Sequence, residues 1–349
     1  MMETKMVSMS ETQIDYKAIK EAGEILRAGG LVAFPTETVY GLGGDALQSG
    51  ASKKIYAAKG RPSDNPLIIH ICKLEDMGYI TEDIPEEAEL LARAFWPGPL
   101  TMILKKSDAV PLETTGGLGT VAVRMPNHAV ALELIRAAGG YVAAPSANTS
   151  GKPSPTLAEH VRDDLDGKID MIVDGGAVGI GLESTIVDLT EDKPVILRPG
   201  YITKEMLEKV LDKEVAIDKA LYGSKEPPKA PGMKYRHYAP QGELTIVSGK
   251  SERVIETIKA LAAEKKLAGE RIGIICTEET KHFYQADRIA SVGYRRDEES
   301  AARCLYAVLR EFDAKNITCI FSEAFSDTGI GQAVMNRLLK AAGHRVLEV

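Results

Sequence analysis

The chain has 349 residues, 44% hydrophobic and 27% charged, a composition typical of a globular protein with a sizeable core. This length predicts about two domains, and 32 glycines with only 5% aromatic residues favour a loop-rich α/β chain over an all-β sandwich. The formal net charge of −7 argues against a protein whose whole surface binds nucleic acid, although a local basic cleft remains compatible with it.

The cysteines and the N-terminus bear on cellular location. Cys72, Cys276, Cys304 and Cys319 form no CxxC pair and no Cys/His spacing suited to zinc. Scattered free thiols in a large chain indicate a reducing compartment. The first residues lack the apolar core of a signal peptide, and no stretch approaches 18 apolar residues. We therefore expect a soluble, cytoplasmic protein without a membrane span.

The first part of the chain, residues 14–212, predicts a mixed α/β domain. Residues 14–28 have helical spacing and end at Gly29-Gly30, and a short strand at 31–34 stops at Pro35. Further strands are predicted at 67–71, 101–104, 120–125, 141–144, 170–173, 184–189 and 194–197, and further helices at 50–58, 86–95, 127–138 and 203–211. Strands outnumber helices and some follow each other directly, so a mixed sheet is favoured over a parallel one.

Residues 59–66, Lys-Gly-Arg-Pro-Ser-Asp-Asn-Pro, precede one of these strands. Two prolines and a glycine predict an ordered loop instead of a helix. In extended backbone Lys59 and Arg61 project to the same side, so both cations can point into one space. Such a pair can hold a polyphosphate without a glycine-rich loop. On composition alone, a solvated surface turn fits equally well.

Residues 213–242 predict a linker. Between 225 and 240 there are four prolines and no apolar period, with four basic residues and one acidic residue, a local charge of +3. The charge, two tyrosines and a histidine suggest that the linker folds over something anionic. A solvated linker is the alternative that composition leaves open.

Residues 243–349 predict a small Rossmann-like parallel α/β domain. Strands are expected at 244–247, 271–276 and 318–321, and helices at 251–267, 299–313 and 331–342. No GxGxxG follows the first of these strands, so nothing indicates a dinucleotide site.

Polar loops next to the predicted strands are the candidates for function. There is no GxxxxGK[ST], and the glycine-rich piece 40–44 is interpreted as a turn. The polar loops lie at 35–40, 59–65, 116–120, 144–154 and 175–185. Binding sites on α/β scaffolds gather where such loops meet. Taken singly, His70 also fits a hydrogen-bonded core histidine, and Arg124 and Arg198 also fit ion pairs at strand ends.

In combination, several segments carry a resemblance. These segments are 33–42 (AFPTETVYGL), 59–62 (KGRP), 65–67 (NPL), 96–101 (WPGPLT), 123–126 (VRMP), 144–148 (APSAN), 184–185 (ST), 198–200 (RPG) and 230–240 (APGMKYRHYAP). They closely resemble the threonylcarbamoyl-AMP synthase family, the YrdC-like proteins, in the longer form with an appended C-terminal domain. The KxR and SxN signatures are intact as Lys59/Arg61 and Ser146/Asn148. The resemblance spans about residues 14–349 and is looser in the C-terminal domain.

The resemblance implies a YrdC-like twisted mixed sheet with flanking helices and a defined reaction. L-threonine, bicarbonate and ATP would condense to threonylcarbamoyl-adenylate with release of pyrophosphate. A partner transferase would pass the threonylcarbamoyl group to the adenosine beside the anticodon of tRNA. ATP would be a substrate, and Mg²⁺ would be held mainly by its phosphates. Direct RNA binding would be weak or indirect, and no membrane would be involved.

The resemblance also implies site residues. Lys59 and Arg61 would be catalytic. The nucleotide would be held by these two and by Ser63, Thr120, Ala144, Ser146, Asn148, Arg198 and Tyr235. Threonine would be held by Thr36, His70, Arg124 and Ser184, with Arg124 suited to its carboxylate. Tyr235 would close over the site and keep water from the labile intermediates, with Tyr238 as the second candidate for this role.

Three other functions compete. The first is an RNA-binding module, which the net charge of −7 disfavours. The second is a carbamoyltransferase of the hydrogenase-maturation type, whose paired-cysteine zinc motifs and acylphosphatase region have no counterpart in this sequence. The third is a regulatory protein that binds ATP or threonine without turnover.

Overall fold

The computed structural model describes residues 3–218 and 237–349. These residues form two compact units. The first unit contains residues 3–150, 154–179 and 183–218. The second contains residues 237–349 together with two short segments from earlier in the chain, 151–153 and 180–182. Most of the predicted linker lies outside the described residues, so its boundaries stay a prediction.

The first unit contains a long mixed sheet. Its described strands are β1 (Lys5–Ser8), β2 (Val32–Phe34), β3 (Gly41–Asp45), β4 (Ile68–His70), β5 (Leu100–Lys105), β6 (Thr120–Arg124), β7 (Val142–Ala143), β8 (Met171–Asp174), β9 (Thr185–Asp188), β10 (Val195–Arg198) and β11 (Ala216–Ile217). They are ordered β1-β8-β2-β3-β7-β4-β6-β5-β9-β10-β11. Strand β4 pairs in parallel with β6 and antiparallel with β7. The predicted mixed sheet is therefore confirmed.

Helices flank this sheet. They are α1 (Tyr16–Arg27), α2 (Ser49–Lys59), α3 (Met77–Ile80), α4 (Glu86–Phe95), α5 (Ala129–Ala137), α6 (Ala158–Leu165) and α7 (Lys204–Leu211). Helix α1 begins at Asp15, whose carboxylate accepts hydrogen bonds from the amides of Lys17 and Ala18. It packs closely on α5, because a Cβ at Gly23 would lie 2.6 Å from the carbonyl carbon of Ala137. Apolar side chains of the helices and strands form the buried core.

The interpretation of residues 40–44 as a turn is wrong, because Gly41–Asp45 form strand β3. A Cβ at Gly43 would lie 2.9 Å from Cγ1 of Val142 and 3.0 Å from Cε1 of Phe34. The glycine thus leaves room for these two side chains of the neighbouring strands, which is a use of glycine inside a sheet. Strands β1 and β11 and helices α3 and α6 were not predicted.

The prediction of a loop through 59–66 is also wrong at its first residue. Lys59 is the last residue of α2, and Gly60 ends the helix in the left-handed conformation with φ of 61°. The projection of Lys59 and Arg61 to one side therefore does not arise from an extended backbone. The helix end and the glycine set the direction of each side chain.

The second unit contains a parallel sheet. Its strands are β12 (Glu243–Ser248), β13 (Ile272–Cys276), β14 (Arg288–Ser291), β15 (Cys319–Glu323) and β16 (Val346–Glu348), and its helices are α8 (Ser251–Leu267), α9 (Glu298–Ala314) and α10 (Gly329–Ala341). The order is β14-β13-β15-β12-β16 with every pairing parallel. The predicted parallel α/β domain is confirmed, although β14 and β16 were not predicted.

Within the described ranges, no helix combines the length and the apolar character needed to cross a membrane.

Candidate active site

Five polar side chains share one face of the first sheet. His70 and Arg124 are register partners on the parallel strands β4 and β6, so their side chains project to the same side. The register between β5, β6, β9 and β10 extends this face. We call it the polar face and define it by His70, Thr101, Arg124, Ser184 and Arg198. A small apolar cluster occupies the same strands: Ile68, Ile103, Ala122, Ile186 and Leu197.

Ser184 and Arg198 contact each other on the polar face. The Arg198 Nε donates to the Ser184 carbonyl at 3.0 Å, and Nη2 donates to the Ser184 hydroxyl at 3.1 Å. That hydroxyl also lies 2.7 Å from the Thr101 hydroxyl. Arg198 is a predicted nucleotide residue and Ser184 a predicted threonine residue. Their contact would place the border between the two predicted subsites at β9 and β10.

His70 is held neutral. The pKa of its imidazole is lowered to about 3, mainly by burial and also by the positive charge of Arg124. The ring Nδ1 lies 3.1 Å from the carbonyl oxygen of Ile68. His70 is thus a hydrogen-bonded, buried histidine as the alternative interpretation expected, and it also faces Arg124 on the polar face.

Arg124 meets a carboxylate that sequence reasoning missed. Its Nε donates to the Gly98 carbonyl at 3.3 Å, and its Nη2 lies 2.7 Å from Oε2 of Glu37. Only 5% of the Arg124 side chain and 12% of the Glu37 side chain are exposed. The signal for Glu37 is that it is a lone acidic residue in the loop after the buried strand β2.

A tight hydroxyl turn positions Glu37. The Thr36 hydroxyl donates to the Val39 carbonyl at 2.7 Å and accepts from the amides of Thr38 and Val39. The Thr36 and Thr38 hydroxyls lie 2.9 Å apart. Thr36, a predicted threonine ligand, is itself only 2% exposed. In the described residues, its hydroxyl contacts belong to this turn.

Lys59, Ser146 and Asn148 come together. The Lys59 ammonium donates to the backbone carbonyls of Ser146 and Asn148, and the Ser146 hydroxyl donates to Oδ1 of Asn148 at 2.6 Å. Lys59 is 1% exposed. A solvated turn is therefore wrong for this lysine, and Lys59 of the first predicted signature forms one cluster with Ser146 and Asn148 of the second.

Arg61 packs into the loop that follows α2. Its Nε donates to the Asn65 carbonyl at 3.3 Å and its Nη2 to the Pro66 carbonyl at 3.2 Å, and the residue is 9% exposed. Oδ1 of Asn65 is buried without a hydrogen-bond partner in the part of the chain that the structure describes. Ser63 is exposed at the tip of this loop.

The remaining predicted residues lie at strand ends or outside the described residues. Thr120 opens β6 opposite Lys105, and the Ala144 amide donates to the Ile68 carbonyl at 2.9 Å. Tyr235 lies outside the described residues. Tyr238 belongs to the second unit, where its ring stacks on Tyr306 with centroids 5.2 Å apart.

No group of three or more histidine, cysteine, aspartate or glutamate side chains could hold a metal ion within residues 3–218 and 237–349. The predicted nucleotide residues include the cations Lys59, Arg61 and Arg198, a donor set that suits phosphate oxygens. The expected Mg²⁺ therefore stays a prediction in which ATP phosphates supply the ligands.

The second unit has a cavity of about 410 Å³, which we call the second-unit crevice. Its lining residues come from the carboxyl ends of β12 and β15, the loop after β14 and the first turns of α8, α9 and α10. Crevices at the carboxyl ends of parallel strands are common ligand sites. Here the Glu323 carboxylate accepts from the Tyr284 hydroxyl at 2.7 Å and pairs with Arg295. The Glu298 carboxylate accepts from the Gly331 amide at 2.8 Å.

Comparisons with known proteins cover nearly the whole chain. A Sua5/YciO/YrdC family model, described as telomere recombination, matches residues 24–200, and one for the threonylcarbamoyl-AMP synthase C-terminal domain matches residues 202–343. A threonylcarbamoyl-AMP synthase of Bacillus subtilis is 52% identical over 94% of this chain and 94% of its own length. One of Pyrococcus abyssi is 50% identical over 99% of this chain and 100% of its own length.

A solved structure matches equally broadly. P. abyssi Sua5, crystallised in complex with L-threonine, superposes with a TM-score of 0.94 at 49% identity, covering 99% of this chain and 100% of that one. The fold and the order of the two units are therefore shared with that protein.

Proposed function

The chain belongs to the threonylcarbamoyl-AMP synthase family in its two-domain form, and from this premise we propose that it condenses L-threonine, bicarbonate and ATP to threonylcarbamoyl-adenylate with release of pyrophosphate. The observation that carries the proposal is the 50% identity to a protein of that name over 99% of this chain. A tRNA threonylcarbamoyl-transferase in the cytoplasm would consume the product.

The predicted nucleotide subsite is built on the buried cluster of Lys59, Ser146 and Asn148. Lys59 would act as a point charge at the phosphates, and Arg61 and Arg198 would offer planar guanidinium groups. Ser63, Thr120, Ala144 and Tyr235 would complete the contacts to the nucleotide. In phosphoryl chemistry, positioning and charge neutralisation supply most of the catalysis. Mg²⁺ bound with ATP would neutralise part of the phosphate charge.

The predicted threonine subsite is built on the polar face. Arg124 would bind the carboxylate, because a guanidinium group matches carboxylate geometry. The Thr36 and Ser184 hydroxyls would contact the polar groups of threonine, and the neutral His70 would contribute a hydrogen bond. The threonine complex of the P. abyssi relative supports threonine as the ligand.

The division of labour along the chain is also part of the proposal. Residues 14–212 would form the catalytic domain, 213–242 a linker that folds over the site, and 243–349 a Rossmann-like domain. A fragment that ends at about residue 212 should fold as the first domain but synthesise the adenylate poorly. Full activity of this fragment would contradict the role of the linker.

Pyrophosphate release tests the reaction. The rate should require ATP, threonine and bicarbonate together, and omission of either threonine or bicarbonate should reduce it to background. An unchanged rate without either one would refute the synthase. Binding of ATP and threonine without release would instead support a regulatory protein. High RNA affinity with a steep salt dependence would support the RNA-binding module.

A further inference from the structure

The Glu37 carboxylate is buried with its hydrogen-bonding capacity unused. Across residues 3–218 and 237–349, neither of its oxygens has a hydrogen-bond partner, and the same holds for Nη2 of Arg124. Oε2 of Glu37 and Nη2 of Arg124 lie 2.7 Å apart and form an ion pair. A buried carboxylate without donors is costly. The missing donor is therefore expected from a ligand.

The surroundings of Glu37 narrow the kind of donor. Arg124 supplies one positive charge, and it faces Glu37 from β6. His128 also lies near the carboxylate. Burial lowers the pKa of its imidazole, although the charges of Glu11 and Glu37 oppose that shift. Its Nδ1 has no hydrogen-bond partner among the described residues. Arg124 can bind the negative group of a zwitterion, and the Glu37 carboxylate, which lacks hydrogen-bond donors among the described residues, can bind its positive group.

We propose that Glu37 binds the ammonium group of threonine and accepts its proton, so that the amine can attack bicarbonate. This inference rests on the proposed function. Arg124 would bind the threonine carboxylate, and a single carbon separates that carboxylate from the ammonium group. The donor that Glu37 lacks would thus come from the substrate.

The chemistry requires a proton acceptor at this point. An ammonium group has no lone pair, so it cannot form a bond to carbon. In the first step the ammonium gives one proton to the Glu37 carboxylate, which leaves a neutral amine and a carboxylic acid. In the second step the amine attacks the carbon of bicarbonate, a C–N bond forms and water leaves. The product is the threonine carbamate, and Glu37 later returns its proton to solvent.

His70 is the other nearby base, and it suits the role poorly. Its pKa of about 3 means that it does not hold a proton at neutral pH. Its Nδ1 also lies 3.1 Å from the Ile68 carbonyl oxygen. Arg124, on the same face, contributes to that low pKa. Both oxygens of the Glu37 carboxylate, by contrast, lack a hydrogen-bond partner among the described residues, so they can accept from an ammonium group.

Replacement of Glu37 by glutamine tests the proton transfer. Glu37→Gln keeps the shape and removes the base, so kcat at pH 7 should fall about 100-fold or more while KM for ATP stays unchanged. The rate of the variant should rise about tenfold per pH unit towards pH 9, as solution hydroxide produces free amine before binding. Wild type should show no such rise. A variant within threefold of wild type, or one whose pH profile parallels that of wild type, would overturn the proposal.

Two further variants control for structural damage. Glu183→Gln removes another buried carboxylate of the same unit, which accepts from the Ser154 hydroxyl at 2.5 Å. Any loss that it causes should not recover at high pH. Glu37→Asp keeps a base that is one methylene shorter, so it should lose rate and retain the wild-type pH profile. If Glu37→Gln does not fold, recovery of Glu37→Asp at high pH would contradict the proposal instead.

A binding measurement separates this inference from the proposed function. Calorimetry without ATP or bicarbonate would compare L-threonine with 2,3-dihydroxybutyrate, in which a hydroxyl replaces the ammonium. Glu37→Gln should bind threonine about tenfold more weakly and the analogue as well as wild type does. Equal losses for both ligands would reject Glu37 as the ammonium partner. Absence of threonine-dependent pyrophosphate release in wild type would reject the proposed function alone.

Discussion

The two units each contain a buried glutamate beside an arginine, and the pairs differ in how their hydrogen bonds are used. In the first unit, 5% of the Arg124 side chain and 12% of the Glu37 side chain are exposed, and within the described ranges the Glu37 carboxylate has no hydrogen bond. In the second unit, Glu323 is 2% exposed and accepts from Tyr284, while 47% of the Arg295 side chain reaches solvent. Similar residue types thus form two different kinds of site.

The difference indicates that the Glu37–Arg124 pair belongs to a ligand-binding site, whereas the Glu323–Arg295 pair belongs to a cluster that stabilises the fold of the second unit. Buried polar groups are almost always hydrogen-bonded, so an exception needs a cause, and a missing substrate is one. In the second-unit crevice the Glu323 carboxylate already has hydrogen-bond and ion-pair partners, and the Arg295 side chain is partly exposed to solvent. We therefore expect chemistry in the first unit and stability in the second-unit crevice. Four measurements test this division, in order of decreasing effect.

The largest effect should come from Lys59→Ala. It removes the buried ammonium beside Ser146 and Asn148, so turnover should fall about a thousandfold or more through lost phosphate neutralisation. The measurement is pyrophosphate release under saturating substrates. Lys53→Ala is the matched control, because Lys53 lies in the same helix and forms an exposed pair with Glu113. Near wild-type turnover in Lys59→Ala would remove the cluster from the active site.

Local patterns made much of the fold predictable. Helix α8 spans residues 251–267 as predicted, and α4 spans 86–95 as predicted, because apolar periodicity and flanking residues mark both. Strand β3 escaped prediction because its glycines have no apolar pattern. Two-residue β11 and four-residue β1 are too short to show a period of two. Helix α6 has eight residues, most of them polar, so its helical period is weak.

The site was predictable as a set of loops and less so as a set of contacts. Polar residues at strand ends indicated the right segments, and the resemblance selected residues within them. The partners were not predictable, since Lys59 meets carbonyls almost ninety positions away and Glu37 meets Arg124 through the strand order. Sheet order is non-local, so no window of sequence contains it. The burial of Glu37 was missed for the same reason.

The second effect concerns the second unit. Glu323→Ala removes the acceptor of the Tyr284 hydroxyl and the partner of Arg295, so unfolding free energy should fall by about 3 kcal/mol. The chain has one tryptophan, Trp96, which lies in the first unit. In urea, far-ultraviolet circular dichroism should therefore show an earlier transition, while the Trp96 fluorescence transition stays in place. If Glu323→Ala lowered the affinity for threonine as much as Glu37→Gln does, the assignment of Glu323 to stability alone would be wrong.

The third effect is a pH dependence at the polar face. The pKa of His70 is about 3 in the folded chain, below its ordinary value of 6.5. Between these two pH values the imidazole is protonated in the unfolded chain and neutral in the folded chain. Its contribution is therefore present above pH 6.5 and is lost as pH falls towards 3. Between pH 7 and pH 5 this amounts to about 2 kcal/mol.

His70→Asn isolates that contribution. The stability of wild type minus that of the variant, followed by Trp96 fluorescence in urea, should decrease by about 2 kcal/mol from pH 7 to pH 5. The pKa of His128 is also lowered, but His128 is present in both proteins, so its contribution cancels in the difference between their stabilities. A difference that is constant with pH would mean that His70 is solvated in the folded chain, and the polar face would then be less buried than the contacts indicate.

The smallest effect should come from Tyr284→Phe. It removes one hydroxyl that donates to the Glu323 carboxylate at 2.7 Å and leaves the ring in place, so the circular dichroism transition should shift by only about 1 kcal/mol. The loss is small because Arg295 still pairs with the carboxylate. In the first unit no hydrogen-bond donor supports the Glu37 carboxylate among the described residues. A much larger loss in Tyr284→Phe would show that the Glu323 carboxylate depends on a single donor, and the two pairs would then differ less than their contacts indicate.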